Sequence, residues 1–257
     1  SIRRQRQMCI RDRLLVVLAF RIFVFSPFSI PSESMLPRLM NGDYLLAAKW
    51  PYGISRHSLP FDLRLPEGRF LAGTPARGDI VIFKHPVDGR DYIKRVIGLP
   101  GDRIAVTGGE VMLNGARLRR AQLADVLVPL SPNTGCAWGG DAERAADGSE
   151  ACRYAAYRET LPGGVSYDVL DFGVTAADGF AEVTVPDGAV YVMGDNRDSS
   201  LDSRFPASAG EGVGFVSQDL LVGRAEIIVW STDGGADWVK PWTWFSAARG
   251  SRIGDAL

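Results

Sequence analysis

The sequence predicts a mainly β chain: an antiparallel, barrel-like core, an inserted smaller β region, and an N-terminal apolar segment associated with a membrane. Three observations predict it. Short apolar alternations of strand length recur along the chain. Turn residues are abundant, with Gly 29 and Pro 15 in 257 residues, which suits many short strands joined by turns. A basic flank precedes an apolar run near the start. Four segments are expected: 1–27, basic and apolar; 28–117, first part of the core; 118–185, the insertion; 186–257, second part of the core and tail.

Residues 1–13 carry five arginines against one acid, and residues 14–25 are apolar apart from Arg21. This is the positive-inside pattern, and it places the downstream chain across the membrane. The run is shorter than the roughly 20 residues of a full span, so a buried amphipathic helix stays open beside the membrane reading. No small-residue cleavage site comes after it, which argues against a removable leader. The chain begins at Ser1 rather than Met. Residues 1–13 are therefore expected not to represent the native start, and part of an anchor is expected to be missing.

The next stretch holds Ser32 and Ser34 between Pro31 and Pro37. Proline pushes its preceding residue to extended geometry, so Ile30 and Leu36 are expected to be extended. In extended chain, residues i and i+2 point the same way, and both hydroxyls can face one site. Alone, such a pair reads equally as a polar turn capping a strand.

Residues 43–49 read as a strand, and 50–77 as a long loop with four prolines and His57. Residues 80–83 and 92–97 read as a hairpin, with His85 and Pro86 in its turn. Gly108 with Gly109, and Asn114 with Gly115, mark tight hairpins around 104–107 and 110–113. From 118 to 185 alternation weakens and polar turns multiply. Cys136 and Cys152 lie there, 16 apart, either a disulfide of an extracytoplasmic region or two free thiols. Residues 188–193 and 225–230 return to strand pattern. Trp238, Trp242, Trp244 and Phe245 close the chain, suited to a membrane–water interface or to ordinary surface packing.

Composition excludes several functions. Net charge is −1, which leaves no nucleic-acid footprint. No Cys/His set has metal spacing, so neither metal nor cofactor is expected. The two histidines, His57 and His85, sit in polar loop and turn contexts and read as surface residues. A serine nucleophile would then need another base. Lysine serves in known Ser/Lys variants of the triad, provided burial lowers its pKa. Of four lysines, Lys94 has the most apolar setting, between Ile93 and Val96 with Tyr92 on its face. An edge-strand lysine that discourages aggregation is the other reading.

Three stretches now resemble the boxes of type I signal peptidases, the bacterial leader peptidases. Pro31-Ser32-Glu33-Ser34-Met35-Leu36-Pro37 with Gly42 and Asp43 resembles the nucleophile box. Asp91-Tyr92-Ile93-Lys94-Arg95-Val96-Ile97-Gly98-Leu99-Pro100-Gly101-Asp102 resembles the lysine box. Gly194-Asp195-Asn196-Arg197-Asp198-Ser199-Ser200-Leu201-Asp202-Ser203-Arg204 resembles the third. The resemblance spans roughly residues 28–230 and is weak over 118–185.

It implies a membrane-bound serine endopeptidase that removes signal peptides from preproteins at the bacterial inner membrane, with its catalytic part facing the periplasm and with lipid bilayer and preprotein as partners. It implies Ser34 as nucleophile, Lys94 as general base, Ser32 as oxyanion donor, and Ser200 orienting the Lys94 amine. Arg95, Asp195, Arg197, Asp202 and Arg204 would form an ion-pair scaffold. Phe28, Ile30, Pro31, Met35 and Ile93 would line shallow pockets for small side chains. Glu33 and Arg38 depart from the family's usual glycine and threonine, and Glu33 is expected to point away from both serines. Other readings are a maturation peptidase of a conjugation or pilus system and a non-catalytic β scaffold that binds signal sequences. A self-cleaving repressor would need an N-terminal DNA-binding helical unit, where this chain has its apolar segment.

Overall fold

The computed structural model describes residues 13, 24–58, 68–137, 139–145, 148–237 and 239–257. The basic and apolar start, except for Arg13, Val24 and Phe25, lies outside these residues, as does Trp238. Among the described residues no helix is long and apolar enough to cross a membrane.

The chain is mainly antiparallel β, as the turn-rich alternation predicts. Its main sheet has seven strands. In spatial order they are β1 (Phe25–Ser29), β2 (Asp43–Ala48), β17 (Leu221–Ser231), β3 (Ile80–Lys84), β4 (Asp91–Gly98), β15 (Ala189–Met193) and β16 (Val216–Ser217). The β3–β4 hairpin pairs Val81 with Lys94 and Ile80 with Arg95. Strand β1 was not expected; its Phe28 and Ser29 pair with Leu45 and Tyr44.

Both faces of this sheet are covered, which is why β3 reads as a continuous apolar run. Ile80 and Ile82 pack on one side with Ile30, Met35, Leu45 and Ile93. Val81 and Phe83 pack on the other with Tyr52, Val96 and Val192.

A second sheet, of four strands, contains the hairpin of β5 (Arg103–Thr107) and β6 (Glu110–Leu113), flanked by β7 (Ala116–Arg117) and β14 (Gly179–Thr184). Gly108 and Gly109 turn it with φ of 59° and 76°, the left-handed conformation a two-residue hairpin loop requires.

The region 118–185 adds two small sheets. One joins β8 (Arg119–Gln122), β12 (Ala156–Thr160) and β13 (Ser166–Leu170). The other joins β9 (Val126–Pro129), β10 (Asp141–Arg144) and β11 (Glu150–Tyr154). A Cys136–Cys152 disulfide ties β11 to the preceding loop, with Cα atoms 5.3 Å apart. This region shares its core with the rest of the chain. Val128, Tyr154 and Leu170 pack with Leu36 and Met40 of the serine segment, and Tyr167 and Val169 pack with Ile97 and Tyr191 of the main sheet.

The tail forms a short helix, α1 (Trp242–Ser246), on which Trp242 and Phe245 are exposed. His85 corrects its expectation: it is buried, not a surface residue. Its Nε2 lies 3.1 Å from the Gly212 carbonyl, and its ring packs on Tyr92. Turn chemistry predicts exposure only while no neighbour covers the turn, and here the segment around Gly212 does.

Candidate active site

The serine segment is a turn rather than extended chain. The Leu36 N–H donates to the Glu33 carbonyl at 3.1 Å, and the Leu39 N–H donates to the Met35 carbonyl at 2.9 Å. The Leu36–Pro37 bond is cis. The turn still brings the hydroxyls together, with Ser32 Oγ 3.4 Å from Ser34 Oγ. Ser32 is exposed, whereas Ser34 is buried.

The fourth residue of β4 reaches the same point. Lys94 Nζ lies 2.7 Å from Ser34 Oγ and 3.1 Å from the Ile93 carbonyl. Lys94 is buried, and its amine sits 5.8 Å from the centre of the Tyr92 ring. Burial is the largest influence on its pKa. It outweighs the attraction of Asp202 and Asp195 and lowers the pKa to about 8. A lysine so shifted is substantially neutral near pH 8, so it can take a proton from a serine hydroxyl.

Behind the pair, three arginines are held by carboxylates. Arg95 grips Asp195 at two points, 2.7 Å and 2.6 Å. Arg204 does the same to Asp202, twice at 2.9 Å. Arg197 pairs with Glu159, with Nη1 2.7 Å from Oε1. Burial alone would raise the Asp202 carboxyl, but the charge and hydrogen bonds of Arg204 bring it below the ordinary carboxylate range. Arg95 also stacks on Tyr167, 4.5 Å from the ring centre.

Glu159 and Tyr167 belong to the insertion, and sequence reasoning missed both. Tyr167 donates to Glu159 at 3.0 Å, so the insertion completes the scaffold. No motif marks them. A buried strand glutamate becomes legible only once its arginine is known to face it.

Asn196 was also passed over. Its N–H donates to the Ser34 carbonyl at 3.1 Å, and its Nδ2 to the Glu33 carbonyl at 3.2 Å. It fixes the backbone of the serine turn. The crowding explains Gly194: a Cβ there would lie 2.3 Å from Ser200 Oγ and 2.5 Å from the Ser34 carbonyl oxygen.

Ser200 corrects its expectation. It is buried, but its Oγ makes no hydrogen bond to Lys94 or to any other described residue.

The serine and lysine open onto a cleft of about 440 Å³. Phe28, Ile30, Pro31 and Ile93 line it, joined by Ile82, Tyr92, Ser199 and Leu201, which were not foreseen. Met35 does not line it. Met35 is fully buried in the core beneath, because the turn points its side chain inward. His57 and His85 are not among the lining residues.

Two strand edges border the cleft. β1 ends the main sheet. β15 pairs with β4 only from Arg95 onward, leaving Asp91 to Lys94 without a described strand on that side. An extended peptide can therefore lie between the two edges and hydrogen-bond to backbone.

Residues 8–230 match the family model described as signal peptidase, peptidase S26. A signal peptidase I of Rickettsia typhi is 32% identical over 229 residues, covering 85% of this chain and 77% of that protein. One of Rickettsia canadensis is 33% identical over 227 residues, covering 84% and 76%. Among solved structures, a signal peptidase I from Enterococcus faecalis is 23% identical. It covers 58% of this chain and 95% of its own, with a TM-score of 0.30.

Proposed function

This chain belongs to the signal peptidase family, peptidase S26, whose members remove signal peptides, and we propose that it cuts preproteins through a Ser34/Lys94 dyad and an acyl-enzyme. The observation that carries this reading is the 2.7 Å contact between Lys94 Nζ and Ser34 Oγ, inside a buried site that lowers the amine's pKa to about 8.

An extended preprotein segment docks between β1 and the free half of β4. Neutral Lys94 takes the Ser34 proton as Oγ attacks the scissile carbonyl carbon. The oxyanion is held by the Ser34 N–H and the Ser32 hydroxyl. The Lys94 ammonium then gives its proton to the leaving amine, and the peptide bond breaks to leave an ester on Ser34. Lys94, neutral again, deprotonates a water that hydrolyses the ester. Phe28, Ile30, Pro31 and Ile93 make the apolar walls and favour small side chains near the cut. The ion pairs of Arg95, Arg197 and Arg204 hold β4 and the third box in register behind the dyad. In this reading residues 28–117 and 186–257 form the catalytic core, and 118–185 brace it.

The membrane part of the proposal rests on sequence. Arginines precede the apolar run, which places the catalytic part on the periplasmic face of the inner membrane. Exposed Trp242 and Phe245 on α1 give the folded part an apolar contact for the bilayer surface.

The test is to incubate the detergent-solubilised full chain with a preprotein and map the cut by mass spectrometry. Cleavage after the signal peptide is expected. Binding without a cut would make the chain a non-catalytic scaffold, and cleavage restricted to a pilin-type precursor would narrow it to a maturation peptidase.

A further inference from the structure

Ser34 rides on a closed loop, residues 30–43. The Ile30 N–H donates to the Asp43 carbonyl at 2.8 Å, and the Gly42 N–H donates to the Ile30 carbonyl at 2.9 Å, so the two ends of the loop are joined. The limb that returns from Ser34 to Asp43 is bonded to itself as well, with the Met40 N–H 2.8 Å from Asp43 Oδ2. A shift of this limb is therefore carried to the serine.

The C-terminal tail grips the returning limb. Arg252 closes the short turn Gly250–Arg252. Its Nε lies 3.0 Å from Asp43 Oδ1, and its Nη2 lies 2.6 Å from Asp43 Oδ2. The same Nη2 donates to the Arg38 carbonyl at 2.8 Å. One guanidinium thus spans the limb from Arg38 to Asp43, and Asp43 is fully buried. Arg249 bonds the Asn41 carbonyl between them at 2.7 Å. Arg38, which departs from the family's usual threonine, reaches back and donates to the Ala256 carbonyl. Leu257 packs on the core cluster that holds Met35, the residue after Ser34.

The tail is itself anchored. The Gly254 N–H donates to the Ile228 carbonyl at 2.8 Å, and the Leu257 N–H donates to the Glu226 carbonyl at 2.8 Å. Both acceptors belong to β17, an inner strand of the main sheet. Arg252 is thus presented from a fixed support. Residues 231–257 lie beyond the stretch that matches the family model, and the three boxes leave them without a role. We propose that Arg252 is a positioning residue: by bridging Arg38 and Asp43 it fixes the loop that aims Ser34 Oγ at Lys94. This rests on Ser34 being the nucleophile. Displacement of a reacting atom by about an ångström can cost on the order of 10²-fold in rate, so a clamp on this loop has leverage on kcat without touching the substrate.

The test compares variants of the full chain in detergent on one preprotein. Each rate is divided by the folded fraction at the assay temperature, read by circular dichroism. Arg252→Lys keeps a positive charge beside Asp43 but loses the planar fork that reaches two acceptors at once. It is expected to keep Tm within a few degrees of the parent, to lower kcat per folded molecule by about tenfold, and to leave KM within about twofold. Arg252→Ala is expected to lose at least as much kcat and to lower Tm as well, because it leaves the buried Asp43 carboxylate without its partner. A merely structural role would lower Tm and the folded fraction and leave kcat per folded molecule parental. Should Arg252→Ala fail to fold, Arg252→Lys decides by itself. Ser34→Ala is run beside them. Parental kcat per folded molecule in Arg252→Lys, with an inactive Ser34→Ala, overturns the positioning role alone. Turnover surviving in Ser34→Ala overturns the nucleophile assignment and this inference together.

Discussion

Arg197 and Glu159 meet across 38 residues of sequence, with side chains only 3% and 1% exposed. One comes from the third box and the other from the insertion. Breaking a buried pair strands a charge, which costs about 3–5 kcal/mol. Glu159→Ala should therefore lower unfolding stability by about that amount, read by denaturant titration. Replacing both partners with apolar residues of similar volume should cost much less. Equal losses in the single and double variants would refute the pairing account.

Ser34 and Lys94 should act as one unit. Ser34→Ala and Lys94→Met should each abolish turnover, and the double variant should be scarcely worse than either. Ser32→Ala should lose on the order of 10²–10³ in kcat, the usual loss for one oxyanion donor. His57→Ala should leave activity intact. His85→Ala should leave the chemistry intact but lower Tm, because its ring is buried. Substantial turnover in Lys94→Met, measured by preprotein cleavage, would falsify the dyad.

The Lys94 pKa gives two pH dependences. The base works when neutral, so kcat/KM should climb with pH and level off above an apparent pKa of about 8. Stability should climb too. Below about pH 8 the lysine is protonated in both folded and unfolded chains, and the full penalty of a buried charge is present. Between that value and the ordinary 10.5, the unfolded chain binds more protons, so stability rises with pH. Lys94→Met should therefore raise Tm near neutral pH, with the advantage fading as pH approaches the ordinary lysine value. An advantage constant across that range would contradict a depressed pKa.

The Cys136–Cys152 disulfide closes a loop of 16 residues. Loops of that size contribute about 3 kcal/mol by restricting the unfolded chain. Peptide mapping without reductant should recover the linked pair, and Cys152→Ala should lower stability by about 2–4 kcal/mol. Quantitative alkylation of both thiols without reductant would show the pair unformed.

Much of this protein was legible in sequence. Apolar runs at 80–83 and 92–97, and glycine pairs at hairpin turns, specify strands because side-chain alternation and left-handed φ are local properties. The two serines, Lys94 and the third box stand in linear motifs, and the structure places these three stretches around one cleft. Tertiary structure decided the rest. It turned Met35 into the core, buried His85, left Ser200 without a bond to Lys94, and supplied Glu159, Tyr167 and Asn196. Each of these outcomes depends on what a distant strand places opposite the residue. Periodicity records which way a side chain points from its own backbone. The partner that meets it is set only when the sheets close on one another and every buried charge must find its counter-charge.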